Sequence, residues 1–264
     1  MNDVLPFRLV AEYDRMRLAM YRKHGSCGRR MSIRSAGHTL LLRFADVGYF
    51  NTVYGDEGDV INRLSEVERF FHASPYGCRL VTPSLSIGTP LANACALRGW
   101  IPDHEYVWLS AETRTLPSPP PHDFEIRTAR ADENDLFFGI YLTAFGADKD
   151  RMPAAIRNMR HLFSNPDLHF LFAFENDQPV GVGMMYLVGG SALLCAGAML
   201  PSSRGCGGHQ ALLAARIRLA QSLGCTDIHS WAIRGSCSHR NIERTGLQTV
   251  RTSLALRLPP DRLV

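Results

Sequence analysis

The sequence predicts a mixed α/β fold arranged as two halves. Strand-like and helix-like segments alternate through the second half, which is typical of α/β or α+β domains. Four prolines in five positions, over residues 117–121, can neither continue a helix nor form a central strand, so they indicate an extended linker. We therefore expect a first domain over residues 1–116, a linker over 117–122 and a second domain over 123–264.

The segments of the second half follow in order. Alternating or fully apolar runs predict strands, whereas apolar stripes at helical spacing, closed by Gly224 and Gly246, predict helices. Strands are expected at residues 124–129, 169–175, 180–188, 192–200, 227–233 and 249–258, and helices at 132–145, 154–163, 207–223 and 238–245. The first half gives only a helix over 91–100 and a strand over 105–109. This ending resembles that of the second half, a weak internal repeat that coincidence also explains.

Composition argues against several classes of protein. The 264 residues carry a formal charge of +4 with scattered arginines, so no basic stripe indicates a nucleic-acid partner. No apolar run approaches the roughly 20 residues that span a membrane, and the N-terminus lacks the pattern of a signal peptide. Seven cysteines without C-x-x-C spacing suggest neither disulfides nor a metal site and suit a reducing cytoplasm. We expect a cytoplasmic monomer or homodimer that binds no metal, nucleic acid or membrane.

The segment most informative about function joins the apolar strand at 192–200 to the helix at 207–223. Residues 200–210 read Leu-Pro-Ser-Ser-Arg-Gly-Cys-Gly-Gly-His-Gln. The first turn of a helix has unpaired N–H groups at the positive end of the helix dipole, and glycines let an anion approach them. These features predict a pyrophosphate site, with a plain glycine-rich turn as the alternative. A P-loop is excluded because no Gly-Lys-Ser/Thr follows, and the dinucleotide-binding pattern lacks its third glycine.

The same segment resembles the R-x-x-G-x-G/A motif of the GNAT superfamily of acyl-CoA-dependent N-acyltransferases. Arg204, Gly205 and Gly207 stand in register with that motif, and residues 224–247 resemble the closing part of a subgroup in which two GNAT-like domains are often fused in tandem. The resemblance implies a GNAT fold, in which a mixed β-sheet flanked by helices is splayed between its central strands and holds CoA in the gap. It also implies acetyl transfer from acetyl-CoA to an amine. His209 departs from the motif, which ends in Gly or Ala, and Ile242 occupies the place of a tyrosine that acts as general acid in many relatives.

The resemblance also implies roles for individual residues. The backbone of Gly197, Ala198 and Met199 is expected to pair with the pantetheine arm of CoA. The other expected contacts of the cofactor come from the loop and a later helix: Arg204, Gly205, Cys206, Gly207, Gly208, His209, Gln210, Ser238 and Asn241. In the first half the nearest counterpart of the loop, residues 54–59, carries three carboxylates that would repel pyrophosphate. We therefore expect a degenerate GNAT-like N-terminal domain that binds no CoA and shapes the acceptor cleft.

The acid and base of the reaction cannot be carried over from the family, so they are inferred from position alone. His229, Tyr186 and Glu175 are candidates for proton transfer, although a structural role is the simpler interpretation of each. The expected acceptor is a small-molecule amine. Carboxylates near Asp56 and at Asp132 and its neighbour suit either a cationic amine or a solvated surface. A non-catalytic acyl-CoA-binding or sensing protein is the alternative function.

Overall fold

The computed structural model describes residues 4–25, 30–72, 74–117 and 122–263. Residues 118–121 of the predicted linker therefore lie outside the described residues. The α-helices of the described residues are α1 (Leu5–His24), α2 (Glu57–Ile61), α3 (Leu64–Phe71), α4 (Pro90–Leu97), α5 (Asn134–Ala144), α6 (Met152–Met159), α7 (Gly208–Ser222) and α8 (Cys237–Glu243). The strands are β1 (Met31–Ala36), β2 (Thr39–Phe44), β3 (Thr52–Tyr54), β4 (Cys78–Val81), β5 (Ile101–Glu112), β6 (Glu125–Thr128), β7 (Leu168–Glu175), β8 (Gln178–Val188), β9 (Ser191–Met199), β10 (Asp227–Ile233) and β11 (Gln248–Leu258).

These strands form one mixed sheet, in the order β1-β2-β3-β4-β11-β5-β10-β9-β8-β7-β6. β3 with β4 and β9 with β10 are parallel pairs, one in each half. The two halves exchange their last strands, because β5 pairs with β10 of the second half and β11 pairs with β4 of the first. β5 and β11 also pair with each other at the centre of the sheet. Each half of the sequence thus completes the sheet of the other.

The elements expected in the second half are present. All six strands and all four helical segments occur. The first and last residues of each strand lie within two residues of the expected positions. The helices over 132–145 and 154–163 are mixed, since a 3₁₀ turn precedes α5 and another follows α6. In the first half, α4 and β5 match the expected pair, whereas α1, α2, α3 and the strands β1 to β4 were not predicted.

Helices cover both faces of the sheet. α1, α5 and α6 pack on one face around a large aromatic core, which includes Phe137, Phe170 and Trp108. α7 and α8 pack on the other face against β5, β8, β9 and β10, through residues such as Leu213 and Ile242. A third cluster holds α2, α3 and α4 against β2, β3, β4 and β11. The strands β8, β9 and β10 therefore lie between α1 on one face of the sheet and α7 on the other.

α1 joins the two halves of the sequence. It comes from the first half, yet it contacts β5, β9, β10 and α6 as well as β1 and β2. Asp14 on its buried side is 2% exposed, accepts a hydrogen bond from the Tyr54 hydroxyl at 2.6 Å and pairs with Arg17 at 2.5 Å. The sequence signal for α1 was the spacing of Val10, Tyr13 and its later buried residues at three- and four-residue intervals.

Candidate functional site

A gap opens in the sheet between β9 and β10. The two strands pair only from Ser191 with Asp227 to Leu193 with His229. One further contact joins them, a hydrogen bond of 3.0 Å from the Ser230 hydroxyl to the Leu194 carbonyl. β9 continues along β8 as far as residue 199, so its other edge, from 195 to 199, faces the gap. An extended ligand can add to such an edge as a strand does.

β9 is bulged where it borders the gap. Its register against β8 shifts by one residue between positions 195 and 198, and Ala196 has a φ of +43°, in the left-handed region. Two glycines make room at the bulge. A Cβ on Gly183 would lie 3.0 Å from Nε of Arg216, and one on Gly197 would lie 2.7 Å from its Nη2. The absence of both Cβ atoms lets the Arg216 side chain reach the strand.

Arg216 lies in the middle of α7, with 1% of its surface exposed. Its Nη1 donates to the carbonyls of Met184 at 3.0 Å and Cys195 at 2.9 Å, and its Nε donates to that of Leu212 at 3.0 Å. Burial lowers the pKa of Arg216 to about 10, so the side chain stays protonated at neutral pH. Sequence reasoning missed this residue, whose only signal was an arginine within the apolar stripe of the helix.

The loop between β9 and α7 is open. Gly205 and Gly207 have φ values of +84° and +90°, which L side chains rarely adopt, and Gly207 is the N-cap of α7. A Cβ built on either glycine meets no atom within 4 Å, and residues 204–207 are exposed. The first turn of α7 therefore presents free N–H groups and the positive end of a 15-residue helix to solvent. This geometry suits an anion such as pyrophosphate.

The remaining loop residues fix the loop to the strand. A Cβ on Gly208 would overlap the Met199 side chain, so this glycine brings the first turn of α7 against β9. The guanidinium of Arg204 donates to the carbonyls of Met199 at 3.2 Å and Ala144 at 2.6 Å. Cys206, beside it, is exposed. Arg204 is thus held at the rim by two carbonyl oxygens.

His209 turns away from the loop surface and into the protein. Its Nε2 would lie 3.1 Å from a Cβ on Gly197, and its Nδ1 lies 3.2 Å from the side-chain nitrogen of Asn241. Burial and then the Arg216 charge lower the pKa of His209 to about 4, while a backbone hydrogen bond with Gly197 raises it. The imidazole is therefore neutral at pH 7 and adds no cation to the loop.

α8 is tied to the same turn of α7. The Gln210 side chain donates to the Asn241 carbonyl at 2.9 Å and to its side-chain oxygen at 3.3 Å. Asn241 therefore contacts both His209 and Gln210 and fixes α8 beside the start of α7. Ser238, about one turn earlier on α8, is half-buried.

His229 lies at the closed end of the gap and is fully buried. Its Nδ1 is 2.9 Å from the hydroxyl of Ser110 on β5, and its Nε2 has no hydrogen-bond partner among the described residues. Burial lowers the pKa of His229 to about 4. Of the three candidates for proton transfer, it is the residue whose strand borders the gap.

His209 and His229 should make the fold sensitive to acid. Their pKa values of about 4 in the folded protein lie below the ordinary 6.5, so between these values only the unfolded chain takes up protons. The contribution of each neutral histidine to the free energy of unfolding is fully present above about pH 6.5. It decreases as the pH drops towards about 4, by at most roughly 3 kcal/mol for each histidine. His229→Gln should flatten the dependence of the unfolding free energy on pH, measured by urea denaturation. An unchanged slope would show that His229 contributes nothing to it.

The other two candidates lie on strands that do not border the gap. Tyr186 is on β8, where its ring lies 5.8 Å from that of Tyr13 and burial raises its pKa. Glu175 ends β7, which β8 separates from β9, and it accepts a hydrogen bond from the Ser203 hydroxyl at 3.2 Å. Tyr186 and His229 both lie opposite Leu193 and so share one cross-strand row, whereas Glu175 lies at the far end of β7.

The carboxylates considered for a cationic acceptor make local contacts. Asp59 accepts from the Thr39 hydroxyl at 2.6 Å and pairs with Arg63 at 3.2 Å. Glu133 pairs with Arg127 at 2.7 Å, which holds the pKa of its carboxyl at about 2. The charges of Asp59 and Glu133 are therefore balanced by neighbouring arginines.

A small cavity lies under α1, on the face of the sheet opposite α7. Asp14 and Tyr54 line it from the first half of the sequence, and Trp231, two residues beyond His229 on β10, lines it from the second. Its free space is about 10 Å³, enough for one water-sized group. No sequence pattern indicated this cavity, because its walls meet only through the strand exchange and α1.

The sequence of the second half matches a known family of enzymes. Residues 128–243 match the family model described as "Acetyltransferase (GNAT) family". The matched segment runs from the end of β6 to the end of α8 and includes the gap, the bulge and the glycine loop. This segment of the chain is similar to the acetyltransferase domains of the GNAT family. The match supports an acyltransferase of the GNAT type, which the sequence predicted.

Solved structures share the GNAT fold over most of the chain. A GCN5-related N-acetyltransferase from Kribbella flavida is 18% identical, with a TM-score of 0.64, and the match covers 93% of this chain and 95% of that one. A second, from Sphaerobacter thermophilus, is 15% identical with a TM-score of 0.64 and coverage of 87% and 76%. A tandem GNAT protein from the clavulanic acid biosynthesis pathway is 10% identical with a TM-score of 0.59 and coverage of 94% and 96%. These matches confirm the predicted fold class.

No curated protein matches the sequence. Within the described ranges, none of the helices is long and apolar enough to cross a membrane.

Proposed function

We propose that this GNAT protein is an N-acetyltransferase that moves the acetyl group of acetyl-CoA to the amine of a small molecule. The observation that carries the proposal is the open glycine loop at the N-terminus of α7, which directly follows the unpaired edge of β9. A long anionic substrate with an extended arm fits such a pair of features, since the helix end receives phosphates and the strand edge receives amides.

Each part of the site has a proposed role. The backbone of Gly197, Ala198 and Met199 would pair with the pantetheine arm. The loop and its neighbours would hold the pyrophosphate and the rest of the CoA: Arg204, Gly205, Cys206, Gly207, Gly208, His209, Gln210, Ser238 and Asn241. His209 and Asn241 would act by fixing the first turn of α7, since their side chains bond to each other and the Asn241 side-chain oxygen accepts from Gln210 in that turn.

The reaction requires little from the protein beyond positioning the amine next to the thioester. The amine nitrogen attacks the carbonyl carbon of the thioester, a C–N bond forms, the C–S bond breaks, the amine loses a proton, and CoA leaves as a thiol. Proximity and stabilisation of the oxyanion supply most of the rate. We propose that His229, with its neutral imidazole and unpartnered Nε2, takes part in removing the proton through water.

The first half would cover the gap and form one side of the acceptor cleft. We propose that residues 1–116 form a degenerate GNAT-like unit without a CoA site, joined through residues 117–122 to the catalytic unit at 123–264. The parallel pair β3 and β4 is its counterpart of β9 and β10, yet the following segment is acidic and Asp59 in it is bound to Thr39. α1 covers the gap on the face opposite α7, and an enclosed site favours a small acceptor over a protein chain.

A coupled assay tests the proposal. Acetyl-CoA and a broad panel of small primary amines are incubated with the protein, and free thiol is detected. We expect slow thiol release without acceptor and faster release, with a matching acetylated product, for some of the amines. Tight CoA binding with no thiol release above background would instead favour the sensing function. The presence of Ile242 in place of the usual tyrosine supports that alternative.

A further inference from the structure

Arg216 is an unusual residue for the interior of a sheet-and-helix core. It is almost fully buried, and among the described residues no carboxylate forms an ion pair with it. A buried guanidinium without a counter-ion is costly, because its lost hydration is replaced only by hydrogen bonds to carbonyl oxygens. Leucine or methionine at this place in the helix would avoid that cost. The position of the charge therefore calls for an explanation.

The contacts of Arg216 place it at the bulge of β9. Its Nη1 bridges the carbonyls of Met184 on β8 and Cys195 on β9, at the point where the register of the two strands shifts. The glycines at 183 and 197 leave the space for its Nε and Nη2. Arg216 thus replaces the strand-to-strand bonds that the bulge removes and holds the bulge in one conformation.

The same contact determines where one peptide N–H points. In a planar trans peptide the C=O and the N–H point in opposite directions. Because the Cys195 carbonyl points towards β8 and Arg216, the N–H of Ala196 points away from β8, to the edge of β9 that faces the gap. A donor on the carbonyl also polarises the peptide and strengthens its N–H as a donor.

We propose that Arg216 is a positioning residue for acyl transfer. It binds the carbonyl of the Cys195–Ala196 peptide on the side away from the gap. This contact strengthens the Ala196 N–H as a donor to the oxyanion that develops on the acyl group. Arg216 itself does not touch the substrate, because the β9 backbone lies between them. The inference rests on the proposed acyl transfer in the gap. Its electrostatic part, the positive charge beside the gap, stands independently of any activity.

Two variants of Arg216 and one control test the proposal. Arg216→Met removes the charge and keeps much of the volume, whereas Arg216→Lys keeps the charge. Arg218→Met is the matched control, because Arg218 is exposed on the same helix. Acetyl-CoA affinity, kcat, KM and the pKa of the His209 imidazole, followed by NMR, are measured for each variant.

We expect Arg216→Met to lower kcat by about tenfold or more, a smaller effect than loss of a direct oxyanion donor, while the Kd for acetyl-CoA changes little. The His209 pKa should rise in this variant, because the Arg216 charge helps to keep it low. Arg216→Lys should recover part of kcat and keep the His209 pKa near that of the native protein. Arg218→Met should change neither quantity.

Other outcomes decide against the proposal. A folded Arg216→Met variant with native kcat and a native His209 pKa would overturn it, as would a loss of kcat that merely follows a loss of acetyl-CoA binding. If no amine is acetylated by the native protein, the proposed function fails, while the His209 titration still tests the charge. If Arg216→Met does not fold, Arg216→Gln takes its place, because it removes the charge and keeps a side-chain amide that can donate to the backbone carbonyls; native kcat and a native His209 pKa in that variant would overturn the proposal.

Discussion

Gly207→Glu should abolish acetyl-CoA binding. The residue has a φ of +90°, which a glutamate side chain adopts only with strain, and it begins the helix whose N–H groups face the proposed pyrophosphate. The substitution also places a carboxylate where phosphates would lie. We expect the affinity to fall by at least about a hundredfold, which corresponds to about 2.8 kcal/mol, and acyl transfer to be lost with it.

Gly58→Glu is the matched control for this substitution. Gly58 is exposed in the acidic segment of the first half, and a Cβ there meets no atom within 4 Å. We expect native affinity in calorimetric titrations of this variant. Equal losses in both variants would mean that the effect is general, and retained binding in Gly207→Glu would move the pyrophosphate away from the loop.

The second half of the sequence should not fold by itself. β10 pairs along its whole length, from Asp227 to Ile233, with β5 of the first half, and β11 lies on the other side of β5. A fragment of residues 123–264 therefore lacks the strand that joins its own last two strands and leaves their edges unpaired. We expect it to be aggregated or non-cooperative in unfolding, with no measurable acetyl-CoA binding.

A split in the linker provides the complementary experiment. Residues 1–117 and 118–264, expressed together as separate chains, should associate through the exchanged strands and recover acetyl-CoA binding close to that of the intact protein. Circular dichroism, thermal unfolding and titration of the fragments, alone and together, make the comparison. A fragment of residues 123–264 that unfolds cooperatively and binds acetyl-CoA with native affinity would contradict this account of the strand exchange.

The sequence predicted the second half well because its elements are bounded by local signals. Gly224 and Gly246 end helices, and the apolar runs have strand length, so local periodicity was enough to place them. In the first half, β3 and β4 were missed because they have only three and four residues, whereas α1 was missed although its buried residues have helical spacing. The exchange of β5 and β11 has no local signal, since pairing between distant strands depends on the whole sheet.

The candidate site was predictable only where a recurring pattern marks it. The loop from Arg204 to His209 was recognisable, whereas the inward turn of His209 depends on space left by Gly197. Arg216 could not be predicted either, because its role depends on the bulge of β9. An arginine in an apolar stripe is informative only when that bulge is known. These residues act through contacts between separate strands and helices, which spacing along the chain does not reveal.

Isothermal titration of the intact protein with acetyl-CoA tests the central claim most directly. The open loop after β9 and the acidic segment after β3 differ in charge, so only the second half should bind the ligand. We predict one site per chain, lost in Gly207→Glu and kept in Gly58→Glu. Two equivalent sites, or no binding at all, would contradict the account.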